Sequence, residues 1–595
     1  MAGFIGLILP GMVVTLDDDF WYLRSVIKTI QKGRPWTDDW LTPWAASSSG
    51  ISALLFKITG SFRFAIHFQL AAAAGLAAAA MALFLQKQGI PGFRAVAMPL
   101  LVLATPTVMF MFLMFTGVAV YMACLWWCIY LADQKKWLWF LLPWSLAIAS
   151  RQSAVAWLVL PAVAYLQDAK ALRSLFPDTS AARKILLLAT GTIIVFLSLK
   201  WGMNPTEGQK LVLGGVGHGL LTSHGGIPAG LGVIAFAAGL AMAALVRMPE
   251  TFRRGLPSLR PRLIAALPAA AAGAAGAWWF LTQTQNTHDC YSDVLSNLLI
   301  PVFGGLLGLA LALAGAKPRL DATLAGLAAI LLVALYGGRF DYYFNDALFF
   351  GIAAGFPSTA RSPKPEAPDN QAHVALAGAS LTKPLASRFD QFWKKTSGLL
   401  ADKPRAFSWI LITIVTVSTG LWHLGSAAKM SVQQNRAAAL ITLYEQAFRS
   451  NKLAPADIGM TTFGYLGWLF QDYYAAHEGK EKPVLGGFTH YAQDWDDGKG
   501  TGVITTLPRS LHPFRAYIPT RNRTALRESR DARLIHELKY PFFGKHAVRF
   551  SLLNGPSSER LPHTFPLNTA EFRRLPFPLN DAEWRDFILQ SPPLD

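Results

Sequence analysis

Apolar blocks of about twenty residues recur along this chain, the length a helix needs to cross the hydrocarbon core of a bilayer. The clearest is RFAIHFQLAAAAGLAAAAMALFL, residues 63–85. Further blocks fall near residues 2–16, 95–115, 117–132, 137–150, 153–166 and 185–199, then near 228–246, 263–281, 295–315, 320–337, 346–356 and 407–425. The expected fold class is therefore an all-α polytopic membrane protein of about thirteen transmembrane helices. Composition agrees, with 52% hydrophobic and 15% charged residues over 595 positions. The blocks near 137–166 and 346–356 are short for spans and are the ones expected to tilt or re-enter.

With the N-terminus placed in the cytoplasm, alternate loops should be rich in Lys and Arg. The expected inside loops carry Lys87 and Arg94, Lys135 and Lys136, Arg183 and Lys184, Arg253 and Arg254, and Lys317 and Arg319. The outside loops are poorer, with Arg151 alone in one of them and Arg339 in another. The first outer loop is the exception, holding Arg24, Lys28, Lys32, Arg34 and Lys57. This parity puts the first loop and the C-terminal region outside, and the expected location is the bacterial inner membrane with both on the periplasmic side.

Four parts follow from this reading. Residues 1–356 form a transmembrane module whose first outer loop is 17–62. Residues 357–405 are a basic, Pro- and Ser-containing cytoplasmic linker, 406–425 the last span, and 426–595 an extracytoplasmic α/β or irregular domain. The net charge of +18 does not indicate nucleic acid, because the basic residues are spread over loops and no nucleic-acid motif accompanies them. Cys124, Cys128 and Cys290 supply neither a disulfide framework nor a zinc pattern.

The chemistry-bearing residues begin with Asp17, Asp18 and Asp19, directly after the first apolar block. Three adjacent carboxylates at a bilayer edge repel one another, which raises the pKa of at least one and suits it to take a proton. A solvated acidic stop to a short helix is the alternative. Asp38 and Asp39 form a second pair in TDDW, as a helix cap or as contacts to an acceptor. Arg151 stands between two short apolar blocks, where an arginine is costly unless paired or functional. It and Arg339, in YGGRFDYYFND, are the candidate phosphate contacts. His218 and His224 lie in a glycine-rich outer loop that lacks the Lys-Ser/Thr of a phosphate loop and follows no strand; they are candidate loop contacts over the site. His288, Asp289 and Asp293 have ligand chemistry without diagnostic spacing, so no metal site is assigned, and a divalent cation is the one cofactor left open. Trp36, Trp40 and Trp44 recur every four residues, as interfacial anchors or sugar-stacking faces.

The order of elements in the first loop resembles the GT-C class of membrane glycosyltransferases, which includes the protein mannosyltransferases and the lipid A aminoarabinose transferase. The matching elements are the acidic triplet, an amphipathic helix over 20–32, the stretch Gly33 to Trp44, a second surface helix over 48–59, and Gly60 to Arg63 entering the second span. The segment SRQSAVAWLVLPAVAY at 150–165 belongs to the same likeness. The resemblance covers about the first 170 residues; beyond residue 200 topology alone supports it. It implies a polyprenyl-phosphate-linked sugar donor, a cell-envelope glycan, lipid or protein acceptor at the outer face, and inversion at the anomeric carbon. It further implies a first-loop aspartate as general base, Asp18 or Asp19 ahead of Asp17. Two other readings compete. One is a transporter or flippase of lipid-linked saccharides, expected to show related halves and ionisable residues at mid-membrane depth. The other is a non-enzymatic scaffold whose C-terminal domain binds a glycan or a partner.

Overall fold

The computed structural model describes residues 19–36, most of 46–167, helical positions between 232 and 247, residues 319–336 and 345–356, four strands between 459 and 553, and 581–590. Between residues 19 and 356 every described element is helical. The expected spans near 2–16, 185–199, 263–281, 295–315 and 407–425, and the linker 357–405, lie outside the described residues.

Two helices open the described chain, α1 (Asp19–Lys32) and α2 (Ala46–Thr59). They fall where the first-loop pattern places them, but they are packed: Leu23, Val26, Ile27 and even Lys28 of α1 are buried. A sharp turn follows at Gly60, whose φ of 71° favours glycine. Ser61 then caps α3 (Phe62–Lys87), its hydroxyl accepting from the Phe64 amide at 3.1 Å. Among the described residues α3 is the one helix long and apolar enough to cross a membrane. The other expected spans with described helices are shorter as helices.

After α4 (Gly92–Ala104) comes the centre of the bundle, α5 (Gly117–Asp133). Apolar residues surround α5 on all sides, and nearly every one is buried, which marks a helix enclosed by others rather than one with a solvent face. It packs on α3 and on α6 (Trp137–Ile148), with Trp126 set between Phe84 of α3 and Phe349. The expected single span over 153–166 is instead two pieces, a 3-10 helix (Gln152–Leu158) followed by α7 (Val159–Gln167). Pro161 accounts for the junction: it has no N–H to donate four residues back, to the Trp157 carbonyl.

Two more helices, α8 (Leu320–Tyr336) and α9 (Asn345–Ala354), form an antiparallel pair closed where the Arg319 amide donates to the Ala354 carbonyl at 2.9 Å. The segment around 236–243 crosses α9 backbone to backbone. A Cβ on Gly351 would overlap the Phe236 carbonyl oxygen, and one on Gly239 would overlap that of Leu348. Glycine is required at this crossing for space, since small residues are what let helix backbones touch.

Beyond residue 426 the described elements are a four-stranded sheet and a helix. The strands are β1 (Gly459–Thr461), β2 (Gly502–Thr506), β3 (Arg533–Lys539) and β4 (Ala547–Leu553), in the order β1-β2-β4-β3. β1 and β2 are parallel, the other pairs antiparallel, with a register shift between Leu534 and His536. The helix α10 (Asp581–Gln590) packs against α1 and α3; its Ile588 is buried, and the Gln31 amide donates to the Ile588 carbonyl at 3.2 Å.

Candidate functional site

Among the sequence-selected residues, Arg151, Asp19 and Trp36 have described positions, and Lys32 lies 3.8 Å from the Trp36 ring centre. Asp19 opens α1. Asp17, Asp18, Asp38, Asp39, His218, His224 and Arg339 lie outside the described residues. The structure brings the start of α1 and the turn bearing Arg151 to the same end of the bundle. Gly117 is the meeting point: a Cβ there would lie 3.3 Å from the Ser150 carbonyl oxygen and 3.4 Å from the ring of Tyr22. Tyr22 is three residues, about 4.5 Å of helix rise, from Asp19. The start of α2 joins the same place, because Ser47 donates its amide to the Ala149 carbonyl at 3.0 Å and its hydroxyl hydrogen-bonds that of Ser150.

Arg151 has extended backbone (φ −156°, ψ 137°), and residues 152–158 coil away from it as the 3-10 helix. Its guanidinium lies 5.7 Å from the ring centre of Tyr121, within reach of a cation–π attraction. Trp157 packs on the same ring, centroids 4.7 Å apart. The Tyr121 hydroxyl donates to Asp346 Oδ2 in the first turn of α9 and is 2.7 Å from Ser153 Oγ. With its own proton committed to the carboxylate, Tyr121 accepts from Ser153. One side chain thus ties α5, α9 and the Arg151 turn together.

An apolar groove of about 540 Å³ lies between α2, α3, α5 and α6. Ile51 and Leu146 line it close to the Ser47–Ser150 contact, and Trp127, Trp139 and Lys136 line it further along. Along α5 its lining runs from Val120 to Leu131, about 16 Å at 1.5 Å per residue. Its polar lining residues include Gln69, Tyr130 and Lys136; both ends of the Gln69 amide are engaged, accepting from Ser52 Oγ at 2.5 Å and donating to Ser48 Oγ at 2.8 Å. The rest of its lining is almost wholly apolar, which suits a hydrocarbon chain.

At the opposite end of α5 stands a second buried polar cluster. Arg319 donates to Asp133 at 2.6 Å and, through two nitrogens, to both oxygens of Asp321 at 2.7 and 2.8 Å. Gln88 also donates to Asp133, at 3.2 Å. Burial works against the Arg319 charge, but hydrogen bonds and attraction from Asp321 and Asp133 outweigh it and hold its pKa above the ordinary arginine value. In the sequence Arg319 reads as a loop charge. The structure gives it 7% exposure, so it is a clamp joining α5 to α8.

Sequence reasoning missed Asp346, Tyr121 and Ser153. Asp346 stood out only as a neighbour of Arg339, and Tyr121 as one aromatic in an apolar run. The available signal was a carboxylate at the head of an apolar block, which demands a partner. Among the described residues no group of His, Cys, Asp and Glu could hold a metal ion. Compared with known proteins, the chain matches no family model, no curated protein and no solved structure.

Proposed function

We propose that the chain is a membrane glycosyltransferase of GT-C type, moving a sugar from a polyprenyl-phosphate donor to an acceptor at the outer face. The carrying observation is that the start of α1 at Asp19, the Arg151 turn and one end of an apolar groove lie at the same end of the bundle. In this reading a first-loop aspartate takes the acceptor hydroxyl proton as the oxygen attacks the anomeric carbon from the face opposite the leaving group. Arg151 meets the charge that gathers on the departing lipid phosphate. The groove takes the apolar chain.

Large exposed apolar side chains support the membrane setting. Leu138, Trp139 and Leu142 of α6 and Leu327 and Leu331 of α8 are each about half exposed or more. The α10–α1 contact supports the parity of spans, since it needs residues 581–590 and the first loop on one side of the membrane. A second reading, a flippase of lipid-linked saccharides, calls for ionisable residues at mid-membrane depth, whereas the buried carboxylates Asp346 and Asp133 lie toward the two ends of α5.

Protein in lipid nanodiscs, given radiolabelled polyprenyl-phosphate sugars and a cell-envelope acceptor fraction, separates the two. The transferase reading expects label on the acceptor, reduced by about a hundredfold or more in Asp18→Asn or Asp19→Asn. Donor movement between leaflets with no transfer, unaffected by either change, selects the flippase.

A further inference from the structure

Asp346 is 5% exposed, and burial works against its charge more strongly than its neighbours support it. A buried carboxylate is costly unless a cation lies within reach. Tyr121 gives it one hydrogen bond, which a neutral amide could equally accept. Among the described residues Arg151 is the cation that acts on it, across the Tyr121 ring over which the guanidinium sits, and it offsets part of the cost of burial. Ser153, two residues after Arg151, hydrogen-bonds the same Tyr121 hydroxyl, so the turn carrying the arginine is fastened to the carboxylate through one side chain.

We propose that Asp346 is the resting counter-charge of Arg151, competing with a lipid phosphate for it and hastening departure of the phosphate product. This rests on the assignment of Arg151 as a phosphate contact. With the site empty, the arginine and the carboxylate offset one another. A donor phosphodiester carries one negative charge, whereas the product is a monoester carrying up to two. Repulsion from a fixed carboxylate therefore weighs more heavily on the product than on the donor. Asp346 is a positioning residue here, acting on the phosphate through Arg151 and the local field. Its part differs from that of the first-loop aspartate, which must meet the acceptor hydroxyl.

The test measures binding of a polyprenyl monophosphate and of a non-hydrolysable phosphodiester analogue to the full chain in nanodiscs. Wild type is compared with Asp346→Asn, Asp346→Ser, Asp346→Glu and Arg151→Gln. Neutralising Asp346 should tighten monophosphate binding by about tenfold and diester binding less. Asp346→Glu should stay near wild type, and Arg151→Gln should weaken both ligands. Asp346→Ser repeats the prediction should the Asn variant not fold. Unchanged or weaker monophosphate binding in both folded neutral variants, with Arg151→Gln still impaired, overturns the counter-charge role and leaves the phosphate contact standing. Wild-type binding by Arg151→Gln overturns both.

Discussion

The Gln31 side-chain amide donates to the main-chain carbonyl of Ile588 at 3.2 Å, joining residues 557 positions apart. Ile588 is 1% exposed, so the helix that bears it is seated by an apolar residue as well as by this bond. The end of the C-terminal region is thereby held on the helix that follows the acidic triplet.

Ile588→Asp should unseat α10, because a carboxylate would replace a fully buried side chain at a cost of about 2–4 kcal/mol. Limited proteolysis should then cut near residues 575–595 while the helical bundle resists. Leu589→Asp is the control, since Leu589 is 57% exposed and should tolerate the change.

Removing Arg319 leaves two carboxylates buried together. Arg319→Met should lower stability by about 3–5 kcal/mol, read as a fall in thermal midpoint in detergent. Arg319→Lys should recover part of that loss, since lysine restores the charge without the paired nitrogens that grip Asp321.

At the glycine crossing, Gly351→Ala should cost about 1–3 kcal/mol, because the neighbouring obstacle is a main-chain carbonyl rather than a movable side chain. Gly92→Ala has nothing within 4 Å and should be close to neutral in the same assay.

Filling the groove tests what it holds. Ala72→Trp, on its lining, should raise the KM for a long-chain donor more than for a short-chain one and leave kcat with the short donor nearly unchanged. Equal effects on both donors would mean that the chain does not lie there.

The order of elements in the first loop, read from its resemblance to the GT-C class, put helices at 20–32 and 48–59, within two residues of the observed starts of α1 and α2. The all-helical character of the described region up to residue 356 is legible in the recurring apolar blocks. Arg151 was recognisable because an arginine among apolar blocks needs a reason. Its surroundings were not, because Tyr121 and Asp346 meet across 225 positions with no periodic pattern to link them. The break at 158–159 was hidden for a different reason: apolar composition is continuous through it, and only the backbone consequence of Pro161 divides it.

The Asp133–Arg319 pair spans 186 positions, and that separation sets an order of events in the making of the protein. Gln88 leaves the ribosome before Asp133, so one donor is already at hand when the aspartate appears. Arg319 follows only after a delay on the order of ten seconds or more at ordinary rates of synthesis. Through that interval Asp133 belongs to an unfinished bundle, and burying it before the arginine arrives would be unfavourable. The last steps of assembly around α5 must therefore wait for α8, and a nascent chain halted before residue 319 should expose this helix to quality-control proteases.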